Sequence, residues 1–569
     1  MNESPFKTLH PTLWQTFTKK SFIIQFIVVI YLVSYCRNII TTPPLFFLMR
    51  LGAIIGFSFL LLRPIYGLFV IIFFITGFLH PTILPLIPFF GIGSVHITDA
   101  ILVGLFLFII VQKLYYRFFY RHHYPIIRTP IDIPLILFFI ACVIALINGI
   151  AIQKADFNAA FRVFRPTIYY LLFFLITNLI RNRKDLTLFI RVVFSIALIT
   201  SIVIIIQQIA GTSMPLIMGR VEALQTVGTK HGGVTRSIPE GLLLIYSSFI
   251  SLGCIVITRR LEGKTVLLGI SVIILGLGLL FPFFRTIWVT LPLVFLLVIF
   301  LTPIQQKARF ISYFLVAICA VIVIFLFSPI FSGRLNKILN ATQERITSVF
   351  KVRGIRGPEA DTLRTRTMEN EFALLKIKDH PILGIGLGTS YYKPPMPVEY
   401  LGGGFSENKA QKGSEETSPL DENLVRSRLP GRDKGLFLTP LRVDEKNVLT
   451  KPEPVRKGFY LIYTYKKRFQ TLTFHNSILD VVMRLGLVGS VPFIWLTASF
   501  LIRGFRNWKK VQDPFLRILS LSLTASYVGL LINALINPIL FSAWGTLPIS
   551  IIWGVNEVIY RLEGIEEKR

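Results

Sequence analysis

Acidic side chains are scarce in this sequence. Asp and Glu number 30 against 60 Lys and Arg, and charged residues of both signs fill only 16% of its 569 positions. A water-soluble chain of this length needs more charge to cover its surface, so a soluble globular protein is excluded. Cysteine is nearly absent. Cys36, Cys142, Cys254 and Cys319 all lie in or beside apolar runs at no metal-ligand spacing. They are expected to be buried small hydrophobes, and neither a disulfide framework nor a zinc site is supported. The polar stretches hold no carboxylate cluster with convincing ligand spacing, so no metal and no cofactor is expected. No small-residue cleavage site follows the first apolar run, which makes Phe22–Tyr35 a retained helix.

What fills the chain instead is apolar: 53% of residues are hydrophobic, 50 of them Phe, at a mean hydropathy of +0.65. Apolar runs near bilayer length recur along most of it, the mark of an all-α polytopic membrane protein. Expected spans are Phe22–Tyr35, 45–62, 65–79, 97–114, 133–150, 167–180, 186–210, 241–257, 266–281, 287–301, 310–327, a helix from His475 to Arg503, 515–535 and 539–559. That makes about 12–14 transmembrane helices, depending on whether some pairs are re-entrant. The net charge of +30 is not a nucleic-acid footprint, because the basic residues gather in short links between apolar runs. Examples are Lys113–Arg128, Arg181–Lys184, Arg259–Lys264 and Arg503–Lys510. Such links mark the cytoplasmic side and suit anionic membrane lipids, placing both termini in the cytoplasm.

Three regions follow. Residues 1–327 and 475–569 are helical membrane regions, and 328–474 is a long extracytoplasmic loop domain, partly helical, with 402–453 too rich in charge, Gly and Pro to assign a fold. This orientation puts Arg162, Arg165, His231, Arg285, the long loop and His475 on one outer side.

Arg285 is the most informative charge, flanked by apolar sequence on both sides (LLFPFFRTIWVTLP). A cation so near hydrocarbon needs water, a partner or an anion; alternatively it snorkels to the interface beside Trp288. In the long loop, Thr367–Lys378 has a helical apolar pattern at Met368, Phe372, Leu375 and partly Leu374. Arg364 and Arg366 fall at its expected start, where cations oppose the helix dipole, so they serve a site or a solvated face rather than the helix. Gly384, Gly386 and Gly388 then allow a close approach of backbone. In TLTFHNSILDVVMRLGLVGS, Asn476 or Ser477 can cap the last long-loop junction helix, Ser477 and Asp480 have weak capping-box spacing, and Gly486 and Gly489 offer a face to another helix. His475 is either an incidental imidazole at a helix start or a base. Asp480 is expected at the helix start rather than as an acid, and His231 is expected to be solvated.

RTIW at Arg285, RTMENEFALLKIKDHPILGIGLG from Arg366 and FHNSILDVVMRLGLVG from Phe474 occur in that order. The set resembles the O-antigen ligase and polymerase superfamily of bacterial inner-membrane proteins. Only Tyr391–Gln470 departs, being longer and more charged than that family's usual loop. The resemblance implies a metal-independent, inverting glycosyltransferase. It would move a glycan from a polyprenyl-diphosphate carrier to a lipid or glycan acceptor hydroxyl at the outer face, with His475 as base. Arg285 and Arg366 would bind the diphosphate, with Arg364 and Arg162 as further candidates. Within the superfamily a ligase, a polymerase and a protein O-oligosaccharyltransferase share these residues. From another class, a transporter or flippase of anionic lipid-linked glycans would show broken helices and midplane charges.

Overall fold

The computed structural model describes residues 63–76, 94–119, 127–212, 219–226, 229–258, 263–303, 336–343, 358–389 and 474–565, with isolated positions and residue pairs between them. Its helices are α1 (Pro64–Ile75), α2 (Ile97–Phe119), α3 (Asp132–Ile147), α4 (Phe157–Phe164), α5 (Leu172–Leu179), α6 (Arg183–Ala210), α7 (Leu242–Thr258), α8 (Gly263–Leu280), α9 (Arg285–Leu301), α10 (Pro358–Asp379), α11 (Ser477–Asn507), α12 (Pro514–Ala534) and α13 (Ala543–Leu562). Among the described residues six stretches are long and apolar enough to cross a membrane: Ile97–Leu114, Asp132–Ile152, Phe157–Leu179, Arg183–Ala210, Ser477–Lys510 and Pro514–Ala534. Four more helices are apolar but shorter, at Pro64–Ile75, Leu242–Thr258, Val266–Leu280 and Arg285–Leu301. The spans expected at Phe22–Tyr35, 45–62 and 310–327 lie outside the described residues, apart from two helical positions at 311–312.

These helices are apolar on every side, as hydrocarbon demands. Phe300 is 76% exposed, Ile209 70% and Ile502 64%. Water would penalise such faces, but lipid does not, provided each backbone is satisfied within its own helix. α12 packs on α7 and α9, α13 on α5, and α11 on α3. Their shared core is aromatic, with Tyr170 stacked on Trp553 at 5.6 Å and Phe500 edge-on to Tyr527 at 5.0 Å. Cys142 and Cys254 are buried and free, as expected of small hydrophobes.

Three stretches between or at the ends of the expected spans have structure of their own. The segment holding Asp156, Arg162 and Arg165 is not a loop. Asp156 caps α4, its carboxylate accepting from the Ala159 amide at 2.9 Å, and a 3-10 turn (Arg165–Leu171) carries the chain on into α5. The polar stretch Gly211–Glu240 contains an antiparallel hairpin, β1 (Gly219–Thr226) and β2 (Thr229–Pro239). Finally, Arg503 is not a loose cation at the end of α11. It is buried in a two-pronged pair with Glu557, at 2.9 and 3.0 Å.

Opposite ends of the bundle are identified by side-chain contacts. Arg183 at the start of α6 pairs with Asp513 at the start of α12. At the other end of α6, the hairpin packs through Leu224 and Val234 on Phe283, two residues before α9. His475 precedes α11 at that same end, joined to the α12–α13 turn as described next.

Candidate functional site

α10 starts at Pro358, not at Thr367. Proline is preset for the first helical position, and the longer helix moves Arg364 and Arg366 away from the first turn. The dipole conflict expected there therefore does not arise. The buried side of α10 also differs from the expected apolar face. Glu369 and Ala373 are each 1% exposed, while Leu374 and Leu375 stand out at 55% and 59%. Ala373 packs with Ile385, Phe474 and Met483, and Ile377 lies against them. The helix turns its acid inward because a polar partner waits there.

The glycine run fixes α10 to the membrane helices mainly through backbone hydrogen bonds. Ile385 and Gly386 donate to the carbonyls of Met483 and Arg484 at 2.9 and 3.0 Å, and Leu387 donates to Ala145 at 2.9 Å. The Asn148 amide group reaches the Gly384 carbonyl at 3.0 Å. Gly384, Gly386 and Gly388 all have positive φ, and a Cβ on Gly386 would lie 2.4 Å from the Gly149 nitrogen. Gly486 completes the contact from α11. It is non-helical (φ 59, ψ −158), so the helix breaks there. The freed amides of Leu487 and Val488 donate to Pro381 and Ile382 at 2.9 and 3.2 Å. The close approach expected at Gly486 thus comes from a loop rather than another helix, and that loop fills the break.

At the start of α11 the two candidate caps divide their work. Asn476 caps, its side-chain oxygen accepting from the Leu479 amide at 3.1 Å. Ser477 instead donates to the Asn537 carbonyl at 2.6 Å and accepts from the Ile539 amide at 2.6 Å. Asn537 in turn donates its side-chain amide to Thr286 at 3.0 Å, next to Arg285. A short strap therefore runs from the start of α9 through the α12–α13 turn to the start of α11. Asp480 makes no capping box; it pairs with buried Arg484 at 2.5 Å.

His475 lies above this strap with its Nδ1 2.8 Å from Oε2 of Glu369. The imidazole side chain is 34% exposed and the glutamate 1%. A carboxylate at Nδ1 holds the ring proton on that nitrogen and leaves the Nε2 lone pair as acceptor; this tautomer is assigned from the hydrogen bond. Arg366 sits three residues before Glu369 on α10, where a helix brings side chains onto one face. Burial pulls the Arg366 guanidinium below its ordinary range, Glu369 opposes this, and the positive charge of Arg285 adds to it. Arg285 is the first residue of α9 and half-buried. Three of the expected residues thus come together from α9, α10 and the α11 start.

The other candidates do not join them. Arg162 is exposed on α4 without a hydrogen bond or ion pair among the described residues. Arg165 is turned toward Asp99 at 3.7 Å. Arg364 lies on α10 and His231 on β2, with side chains outside the described residues. Glu369 was not anticipated, although its spacing from Arg366 was visible in RTMENEF. Its partner His475 is 106 positions away, a separation no local pattern reports.

Comparison with curated proteins gives no match. Residues 241–410 match the family model described as O-antigen ligase, a stretch that includes Arg285, Arg366, Glu369 and the glycine run. That segment is thus similar to the O-antigen ligase family, which supports the resemblance drawn from the sequence motifs.

Proposed function

We propose that this protein is a glycosyltransferase that takes a glycan from a polyprenyl-diphosphate carrier and joins it to an acceptor hydroxyl. The setting is the outer face of the bacterial inner membrane, with both termini in the cytoplasm. The observation that carries this is the His475–Glu369 pair, 2.8 Å apart, with Arg366 one turn along the same helix and within electrostatic reach of Arg285.

The chemistry follows from those positions. The acceptor hydroxyl gives its proton to Nε2 of His475 as its oxygen attacks the anomeric carbon. Glu369 keeps the ring oriented and stabilises the imidazolium that forms. The bond from the anomeric carbon to the carrier diphosphate breaks, and its electron pair leaves with the phosphate. Arg285 and Arg366 offer permanently charged donors to that developing anion. A diphosphate leaves readily in this form, so neither a strong general acid nor a metal is needed. Attack opposite the leaving group gives inversion.

A transporter of anionic lipid-linked glycans would use a broken helix as a substrate site. The break at Gly486 is instead occupied by the Pro381–Ile382 backbone, which favours the transferase.

The test is glycan transfer in cells carrying His475→Ala, with membrane levels of the protein measured alongside. Transfer is expected to vanish, the carrier-linked donor to accumulate, and wild-type transfer to persist in chelator. Normal transfer by the variant sinks the proposal. The product separates ligase, polymerase and protein glycosylation: lipid-linked polymer, longer carrier-linked glycan, or glycoprotein.

A further inference from the structure

The hairpin β1–β2 delivers a charge to the site that neither the motifs nor the family match singles out. Across its ladder Glu222 faces Arg236. Along β2, Val234 and Arg236 are two residues apart and share a face. Val234 and Leu224 pack on Phe283, with Trp288 alongside. The face on which Arg236 stands is therefore the one laid over the start of α9. The strand is held there firmly: the Gln208 side chain clamps Thr235, donating to its carbonyl and accepting from its amide at 3.2 Å.

Arg236 makes one hydrogen bond among the described residues, from Nη1 to Glu222 at 3.2 Å, and its buried Nε has no partner there. Since guanidinium carries five N–H donors, most of its donor capacity is unspent. Burial draws this guanidinium below its ordinary range; Glu222 opposes that, while Arg220 and then Arg285 reinforce it. A cross-strand ion pair meant only to steady a hairpin gains nothing from lying near a cation outside it, Arg285. Arg285, at the start of α9, is within electrostatic reach of both Arg236 on β2 and Arg366 on α10. Among the described residues, Glu222 is shared by the hairpin arginines Arg220 and Arg236, and Glu369 bonds His475 while also acting on Arg366. Like charges within reach of one another repel, and an anion with more than one charge relieves that repulsion.

We propose that Arg236 is a third arginine of the anion site, binding the diphosphate with its free N–H groups while Glu222 holds its Nη1 in place. This rests on the diphosphate reading of Arg285 and Arg366, and deepens it. Three guanidinium groups suit a diphosphate, whereas a single phosphate would satisfy fewer donors.

The experiment measures binding of inorganic pyrophosphate and of inorganic phosphate to the purified full-length protein in detergent. The variants are Arg236→Gln, Arg236→Lys, Glu222→Gln and, as reference, Arg285→Gln. Wild-type protein is expected to prefer pyrophosphate. Arg236→Gln should weaken pyrophosphate by about tenfold or more, from the loss of hydrogen bonds to a charged group, and narrow that preference. Arg236→Lys should fall between, keeping the charge but losing the fork. Glu222→Gln should weaken it less, by loosening the fork. If Arg285→Gln loses binding while Arg236→Gln and Arg236→Lys match wild type, the third-arginine proposal is overturned and the transferase reading stands. If Arg285→Gln also binds normally, both fall. Should Arg236→Gln fail to fold, the Lys variant decides by the same comparison.

Discussion

In the proposed reaction His475 works as a base only with the correct nitrogen toward the acceptor, and its bond to Glu369 favours one tautomer. The glutamate is almost wholly buried and its Oε2 is 2.8 Å from Nδ1. Glu369→Gln keeps the shape but can present its amide to Nδ1, which stabilises the opposite tautomer and removes the counter-charge to imidazolium. Transfer is expected to fall by about 10²–10⁴-fold, the range for losing correctly oriented acid–base catalysis. Pyrophosphate binding should survive, because Arg285 and Arg366 remain. Equal loss of binding and turnover in this variant would show that Glu369 serves the arginines rather than the base.

At the scale of elements, the site depends on how α10 is attached. Its anchor is a backbone seam in which positive-φ glycines lie against carbonyls and amides of α3 and α11. A methyl on Gly386 meets the Gly149 nitrogen at 2.4 Å and must also take a left-handed conformation. Gly386→Ala is therefore expected to cost at least about 2 kcal/mol, lowering the melting temperature in detergent. An unchanged melting temperature would show that the seam yields easily. The strap Thr286–Asn537–Ser477 makes a separate claim. Asn537→Ala leaves Thr286 and the Asn533 carbonyl short of a hydrogen bond from its side chain, at about 1–3 kcal/mol for buried groups, while Ser477 keeps its bond to the backbone carbonyl. It should raise the donor concentration needed for half-maximal transfer, since the start of α9 carries Arg285. Wild-type donor dependence in Asn537→Ala would remove the strap from the site.

For the molecule as a whole, the two ends of the bundle are built differently. Near His475, Arg285 and Arg366 lie within electrostatic reach of each other. Toward the far end, Arg503 and Glu557 neutralise each other inside the core, and Arg183 meets Asp513. A buried pair is a poor stabiliser but a costly thing to break. Arg503→Ala is expected to cost about 3–5 kcal/mol, whereas the double change Arg503→Met with Glu557→Leu should recover most of it. Thermal unfolding of the solubilised variants measures both. A double variant no better than the single one would mean that the charges themselves, not their desolvation, are needed there.

Much of this was legible in the chain. Long apolar runs with sparse charge leave a helical membrane protein as the only economical way to satisfy the backbone in lipid, and local spacing located most helix limits within a few residues. Arg285 and His475 stood out because a cation amid apolar sequence and an imidazole at a helix start are locally conspicuous, and Arg366 because of its place at an expected helix start and the family resemblance. The hairpin was not visible, because its alternation is weak and its register is set by packing on Phe283. Nor was the inward face of α10: in a helix lining a polar site, the buried side is chosen by the partner, not by hydrophobicity. The sequence determined that these residues are unusual and roughly where along the chain they act. Only the tertiary structure decided that Glu369 faces His475 and that Arg236 comes within electrostatic reach of Arg285, because both pairings join segments that share no local pattern and meet only through packing.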